Sequence, residues 1–131
     1  MAYVKKKGIF SRHLMFKIKD YSGTKVTLTK ETWFKKLLDP VIGHLEVKPY
    51  LAEIGKTISA PDFVYQSKRD PRSKIFYKAG LTRGKFAKCL ITVVVKYVRE
   101  KGKVQGFVST TLLTTNLPRK GKLLWERKVS H

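Results

Sequence analysis

The amino-acid sequence predicts an α+β fold, in which an N-terminal hairpin and two helices are followed by an antiparallel sheet of four to five strands. Two observations lead to this prediction. The hydrophobic periodicity is alternating near the N-terminus, helical between residues 33 and 58, and afterwards breaks into short apolar runs separated by turn residues. A group of helices followed by a run of strands is typical of the α+β class.

The hairpin is predicted from the alternation of residue types. Leu14, Phe16 and Ile18 lie on one face of the extended chain, and the residues between them point the other way, as in a half-buried strand. Residues 20–23 have the composition of a turn. Residues 26–29 then form the second short strand.

Two helices are predicted next. Apolar residues recur at near-helical spacing over residues 33–45, where Pro40 indicates a break or a restart. The second helix starts near Pro49 and ends at residues 60–62, where a proline is followed by an aspartate.

The rest of the chain is predicted as a meander of strands. The run over residues 86–98 is nearly all apolar in its middle, which indicates a central strand covered on both faces. The last short run is expected at an edge of the sheet. The predicted strands are residues 62–66, 74–78, 86–98, 104–113 and 122–125.

The length of 131 residues fits a single domain. Residues 1–11 are interpreted as a basic N-terminal arm and residues 12–131 as that domain. Cys89 is the only cysteine and lies in an apolar run, so it is expected to be a buried thiol, and the chain is expected to be cytoplasmic. Neither a secretory signal nor an apolar run long enough to span a membrane is found.

The charge of the chain points to a polyanionic partner. Lys and Arg number 29 against 9 Asp and Glu, which gives a formal net charge of +20. Nucleic acid is the favoured partner, because Lys and Arg release condensed counterions when they bind phosphates. An anionic membrane surface fits less well, since the charges are spread along the whole chain. A merely soluble, basic surface is the third interpretation.

No motif indicates a metal or a cofactor. The sequence has no phosphate-binding glycine loop, no metal-ligand spacing among its three histidines and one cysteine, and no close cluster of carboxylates. What remains are residues suited to metal-free cleavage of RNA, in which a protein deprotonates the 2′-OH and stabilises the charge on the phosphorus centre.

The residues that could serve such chemistry are few. His44 can move a proton near neutral pH, and the loop with Lys68, Arg69 and Arg72 can bind phosphate. Each has a structural alternative: a histidine at a helix end, or a loop that is basic and solvated. The remaining candidates are the strand residues Tyr77, Ser109 and Thr111, although residues of these types on strands more often serve packing or strand formation.

Several segments together resemble a known group of proteins. They are Thr32-Trp33, Gly43-His44-Leu45-Glu46, Leu51-Ala52-Glu53-Ile54, residues 58–65, Phe76-Tyr77, residues 90–97, residues 106–111 and Leu124-Trp125. The pattern resembles small phage- and toxin-associated nucleases of the barnase–EndoU–colicin–RelE superfamily over about residues 31–126. The resemblance implies helices followed by a four-stranded antiparallel sheet, and a metal-independent endoribonuclease that is often a toxin held by an antitoxin or immunity protein.

The resemblance also assigns roles to residues. It implies that His44 is the acid or base, that Arg69 and Arg72 bind the scissile phosphate, and that Ser109 or Thr111 supplies a hydroxyl. Further RNA contacts are predicted at Lys68, Tyr77, Lys78 and Arg83. The chain departs from the group's pattern in two places: leucine stands where a proline is expected after the histidine, and Ser and Thr stand where the later strand often carries an aromatic residue.

The favoured hypothesis is therefore a ribonuclease that cleaves RNA by 2′-OH attack to leave a 2′,3′-cyclic phosphate. The alternative is a non-catalytic protein that binds RNA or the ribosome, and a DNA-binding or DNA-cleaving protein is a third possibility. The expected partners are RNA, as free or ribosome-bound message or as tRNA, and an acidic antitoxin or immunity protein. No membrane partner and no cofactor are expected.

Overall fold

Seven strands form one mixed sheet in the computed structural model, which describes residues 13–116 and 121–128. The predicted basic arm lies outside the described residues. The order across the sheet is β1-β2-β6-β5-β4-β3-β7. The strands are β1 Leu14–Lys19, β2 Lys25–Thr29, β3 Phe63–Gln66, β4 Ser73–Lys78, β5 Leu90–Glu100, β6 Lys103–Thr114 and β7 Leu123–Glu126.

A single helix covers one face of this sheet. A 3₁₀ segment, Leu45–Tyr50, continues into the α-helix α1, Leu51–Ser59, and together they form one helix of 15 residues. Its buried side chains, which include Ile54 and Ile58, pack against the β5 side chains that point to this face. The core of the protein therefore lies between this helix and the sheet, and the opposite face of the sheet has no helix over it in the described part of the chain.

The predicted fold class, a hairpin and two helices followed by a four-to-five-stranded antiparallel sheet, is wrong. The hairpin is not a separate element, because β2 pairs in parallel with β6 through Val26 and Thr27 and so joins the main sheet. Gly106 permits this close pairing. A Cβ at Gly106 would lie 2.9 Å from Val26 Cγ2 and 2.8 Å from Val95 Cγ1.

The first predicted helix is also wrong over most of its length. Only a short π-helical turn forms, Thr32–Leu37, and its apolar residues Trp33 and Leu37 are buried. The Asp39 carboxylate then accepts hydrogen bonds from the backbone N–H groups of Val41 and Ile42, at 2.8 and 3.0 Å. These bonds lower the pKa of Asp39 and fix a turn in place of a helix. Val41 and Ile42 are consequently exposed, although their spacing matches a helix.

The prediction that β5 is central is confirmed, since three strands lie on each side of it. Ile91, Val93 and Val95 are fully buried under the helix. The prediction that β5 is covered on both faces is wrong. On its other face Thr92 and Val94 line an open cavity, and the predicted start of the strand at residue 86 falls in a turn before Leu90.

Two glycines provide a matched test of this packing. Gly106→Ala forces a methyl group against Val26 and Val95, and we expect it to lower the free energy of unfolding by about 1–3 kcal/mol. Gly55→Ala places its methyl group 3.7 Å from Ile18 Cδ1, an ordinary contact, and improves helix propensity by about 1 kcal/mol. Urea denaturation measures both. Equal effects of the two substitutions would contradict the close pairing of β2 with β6.

Candidate functional site

The face of the sheet that bears no helix carries the candidate site. Side chains alternate along each strand, so the neighbours of the core residues Phe76, Val93 and Val108 point to this second face. They form a surface of aromatic, aliphatic and hydroxyl groups across four strands. Its members are Phe63, Tyr65, Ile75, Tyr77, Thr92, Val94, Thr110, Leu112 and Thr114.

A cavity of about 380 Å³ lies on this surface. Its floor comes from β4, β5 and β6, and its wall comes from the basic loop, residues 67–72, between β3 and β4. Four residues of that loop reach the cavity: Ser67, Lys68, Arg69 and Asp70. The site thus combines a cationic rim with an apolar and hydroxyl-rich floor, which is a common composition for a ligand pocket.

Internal hydrogen bonds hold the basic loop in place. The Ser67 hydroxyl oxygen accepts hydrogen bonds from the backbone N–H groups of Arg69 and Asp70, at 3.2 and 3.3 Å. The Asp70 carboxylate accepts bonds from the Arg72 N–H at 3.0 Å and the Ser73 hydroxyl at 3.1 Å. The Gln66 side-chain amide donates to the Pro71 and Ser73 carbonyls. This network fixes the backbone of the loop that carries Lys68 and Arg69.

Asp70 pairs with some of the cations near the loop and leaves others unpaired among the described residues. The hydrogen bond from the Arg72 N–H lowers the pKa of Asp70, and the bond from Ser73 and the nearby cations act in the same direction. Its carboxylate lies 3.6 Å from Arg72 Nε and 3.8 Å from Lys96 Nζ. Lys68 and Arg69 are exposed and make no ion pair with any described residue. They are therefore the cations of the rim that are available to an anion.

Tyr77 is the unusual residue of the floor. Its side chain is fully buried, and its hydroxyl has no hydrogen-bond partner within the described part of the chain. The ring packs edge-on against Tyr65, with centroids 5.8 Å apart. Burial raises the pKa of Tyr77 to about 12, with a smaller contribution from Tyr65. At neutral pH this phenol is protonated, so it can donate a hydrogen bond but cannot act as a base.

The structure does not bring the predicted catalytic residues together. His44 precedes the helix, on the covered side of the sheet: its backbone N–H donates to the carbonyl of the core residue Leu37, and its Nδ1 lies 3.4 Å from Glu46 Oε2. Arg69 lines the cavity on the other side. Arg72 is exposed beside Asp70 and does not line the cavity.

The two predicted hydroxyls are engaged elsewhere. The Ser109 hydroxyl donates to the Val94 carbonyl at 3.1 Å. Thr111 is fully buried on the core face, where its hydroxyl donates to the Thr92 carbonyl at 3.0 Å. Thr110, between them, lines the cavity.

Of the four predicted RNA contacts, Lys68 and Tyr77 lie at the cavity and the other two do not. Lys78 Nζ donates to the Ala60 carbonyl at 2.6 Å and is largely buried. The Arg83 guanidinium bonds Glu53 Oε2 at 3.0 Å and lies over the Tyr50 ring, 4.7 Å from its centroid. Both side chains tie loops to the rest of the fold.

Sequence reasoning missed several members of the site. The cavity hydroxyls Thr92, Thr110 and Thr114 were not singled out as functional, nor was Tyr65, which packs on Tyr77. The available signal was the alternation of β5. Once Ile91, Val93 and Val95 are assigned to the core, Thr92 must face the other side of the sheet. The residues paired with Thr92 and Val94 on the neighbouring strand β6 must face that side too.

The described residues hold no cluster of His, Cys, Asp and Glu that could bind a metal ion. Within the same part of the chain, every helix is too short or too polar to cross a membrane. Comparisons with protein-family models, curated proteins and solved structures give no match to this chain. The resemblance to the nuclease superfamily stays a prediction from the sequence.

Proposed function

We propose that this protein binds single-stranded RNA on the helix-free face of its sheet. The observation that carries the proposal is the cavity in which Lys68 and Arg69, neither of them paired with a described carboxylate, stand over a floor of aliphatic and hydroxyl side chains. The rings of Phe63 and Tyr65 lie beside this floor on the neighbouring strand β3. Phosphate binds such cations through charge-assisted hydrogen bonds. Bases stack on exposed aromatic rings and bond to hydroxyl groups.

The chemistry of the floor favours single-stranded RNA over duplex DNA. Beside the floor, on β3, the rings of Phe63 and Tyr65 are only partly buried, so an unstacked base can contact them. The threonine hydroxyls can bond to base edges or to a ribose 2′-OH. No recognition helix faces away from the core toward a groove in the described residues, since the single helix packs on the sheet.

Metal-independent cleavage of the bound RNA is the second candidate function, and the Tyr77 hydroxyl is the observation that favours it. A buried phenol without a described partner beside a cationic cavity donates to a phosphoryl oxygen or protonates a leaving oxygen only if the side chains that cover it move aside when RNA binds. In such a reaction the 2′-OH gives its proton to water as its oxygen attacks phosphorus and the bond to the 5′-oxygen breaks. The 5′-oxygen takes a proton from the Tyr77 phenol, which water then reprotonates. His44 serves this reaction only if RNA reaches the helix side of the sheet.

The experiment uses a labelled single-stranded RNA and a DNA of the same sequence, both in EDTA. We expect RNA to bind with an affinity that falls steeply with salt, and DNA to bind more weakly. Cleavage to a cyclic-phosphate end that is lost in Tyr77→Phe would assign catalysis to the cavity. Cleavage lost in His44→Ala would assign it to the histidine instead. RNA that stays unbound at low salt would contradict the proposal.

The partner and the compartment belong to the same proposal. An acidic antitoxin or immunity protein would bind the basic rim and compete with RNA, because charge complementarity would steer it to the same surface. A cytoplasmic location is proposed with it, because a single cysteine cannot form an internal disulfide. Cys89 is a free, half-buried thiol, so the prediction that it is buried is wrong. Competition by an acidic protein, or its absence, is measured in the RNA-binding assay.

A further inference from the structure

A second basic groove lies on the same face as the cavity, at the other end of β6. It has a volume of about 490 Å³ and is formed where the β1–β2 turn meets the start of β6. Three lysines line it: Lys17, Lys25 and Lys103. All three are exposed.

The alternation of the strands places these lysines on the helix-free face. Phe16 and Ile18 pack in the core, so Lys17 between them points outward. Val26 is fully buried, so its neighbour Lys25 points the same way as Lys17. Along β6, Gly106 faces the core, which puts Gln105 on the outer face. The groove and the cavity are thus parts of one surface.

The outer side of β6 connects the two. Leu112 and Thr110 line the cavity, Gln105 and Lys103 line the groove, and Phe107 lies between them with 36% of its surface exposed. From Leu112 to Lys103 the strand extends roughly 25–30 Å, at about 3.3 Å per residue. This distance suits several nucleotides of an extended strand, and the exposed ring lies where a base could stack.

The lysines of the groove carry no counter-charge in the described part of the chain. None of them has a carboxylate oxygen within ion-pair distance. Glu100 is opposite Lys103 in the strand register and forms no ion pair with it. Asp20 is occupied by Ser22, Thr24 and the Tyr97 hydroxyl. Three unpaired ammonium groups around a groove favour an anion there.

We propose that this groove is a second phosphate-binding subsite for the same RNA strand, and that Phe107 stacks a base between the two subsites. The inference rests on the proposed RNA-binding function and extends it: the RNA runs along the outer side of β6, from the basic loop to the three lysines. The subsite binds backbone phosphates, so it adds affinity and footprint length without adding sequence preference.

The test compares two oligouridylates, one of about 4 and one of about 12 nucleotides. The variant is Lys17→Ala/Lys25→Ala/Lys103→Ala. Its control is Lys35→Ala/Lys36→Ala/Lys56→Ala, which removes the same charge from exposed lysines of the helix layer. We expect the wild type to bind the longer RNA more tightly. The groove variant loses most of the extra affinity for the longer RNA. The slope of log affinity against log salt concentration for the longer RNA falls in size by about 2, at roughly 0.7 per lost phosphate contact.

The short RNA reports on the proposed function separately. It occupies the cavity alone, so its affinity stays unchanged in the groove variant, and Phe107→Leu weakens only the longer RNA, about fivefold or more. If the short RNA binds but both triple variants affect the longer RNA equally, the second subsite is overturned and the RNA-binding face stands. If wild-type protein binds neither RNA, the proposed function fails and the second subsite fails with it.

Discussion

Replacing Lys68 and Arg69 together by alanine lowers the affinity for short single-stranded RNA at least about tenfold. The physical reason is that each side chain can make a charge-assisted hydrogen bond to a phosphate, worth roughly 1.5–3 kcal/mol, and that neither is paired with a carboxylate among the described residues. The slope of affinity against salt concentration should also fall, by about 1.4 for two lost contacts. Fluorescence anisotropy at several salt concentrations measures both quantities.

The control removes two positive charges from the covered side of the protein. Lys35→Ala/Lys36→Ala changes exposed residues of the short π-helical turn, and the net charge changes by the same amount as in the loop variant. A protein that attracted RNA only through its overall charge would lose equal affinity in both variants. That result would contradict a specific site at the basic loop.

Among the described residues, the loop contains one cation that is paired with a carboxylate, Arg72, and two that are not, Lys68 and Arg69. Because Arg72 is paired with Asp70, we expect Arg72→Ala to reduce RNA affinity less than the change at Lys68 and Arg69. From the sequence, Arg69 and Arg72 are both predicted to bind the scissile phosphate and Lys68 is predicted to contact the RNA, so nothing in the sequence separates Arg72 from Arg69. Their different environments depend on Asp70, whose carboxylate lies near Arg72 of the same loop and near Lys96 of β5.

The positions of individual strands follow from the sequence, but their assembly does not. Alternation and turn residues predict β1, β2 and β6 to within a few residues, because these signals are local. The parallel pairing of β2 with β6 joins segments far apart in the chain, and its one local sign is a glycine in the middle of a strand. A hairpin that joins the sheet and a hairpin that stands apart have the same periodicity.

Only part of the candidate site was predicted, again because local signals do not show how the strands assemble. Lys68, Arg69 and Tyr77 were singled out by residue type and do lie at the cavity. Ser109 and Thr111 were predicted, whereas Thr110 is the residue that faces the cavity. The register of β5 with β6 shifts between Val94 and Val95, so Ser109 is an extra residue in β6 and its hydroxyl is taken by the β5 backbone.

His44 was predicted to be catalytic because of the chemistry of its side chain and because of a sequence pattern. Neither of these signals predicts on which face of the sheet the side chain lies. The predicted helix around it does not form, because the Asp39 turn intervenes. The chain then enters the 3₁₀ segment from the covered side. Residue type indicates which chemistry is available, whereas the site depends on which side chains share a face.

Tyr77→Phe should raise stability while it impairs function. The buried hydroxyl has no partner in the described chain, and an unsatisfied buried hydroxyl costs about 1–3 kcal/mol. Phenylalanine fills the same space without that cost, so we expect the free energy of unfolding to rise by about 1 kcal/mol. If the hydroxyl donates to bound RNA, the same substitution weakens binding, and any cleavage falls further. Urea denaturation and RNA titration of one protein sample measure both.

Tyr97→Phe is the matched control. The Tyr97 hydroxyl donates to Asp20 Oδ2 at 2.5 Å, and the same carboxylate organises the β1–β2 turn through Ser22 and Thr24. Removing this donor should lower the free energy of unfolding by about 1.5–3 kcal/mol, the usual value for a hydrogen bond to a charged group. The two Tyr→Phe substitutions are thus expected to change the free energy of unfolding in opposite directions. A destabilised Tyr77→Phe protein that binds RNA normally would show that the Tyr77 hydroxyl is structural.

The pH dependence of stability gives an independent check on Tyr77. Burial raises its pKa from 10.0 to about 12 in the folded protein, so between these values the unfolded chain loses the phenolic proton first. The stabilisation that this difference provides is complete below pH 10 and is lost as the pH rises toward 12. Tyr77→Phe has no such proton to lose, so its stability should fall less steeply over that range. Because Tyr97 still titrates in both proteins, the difference between the two curves isolates Tyr77, and parallel curves would place its hydroxyl in contact with solvent.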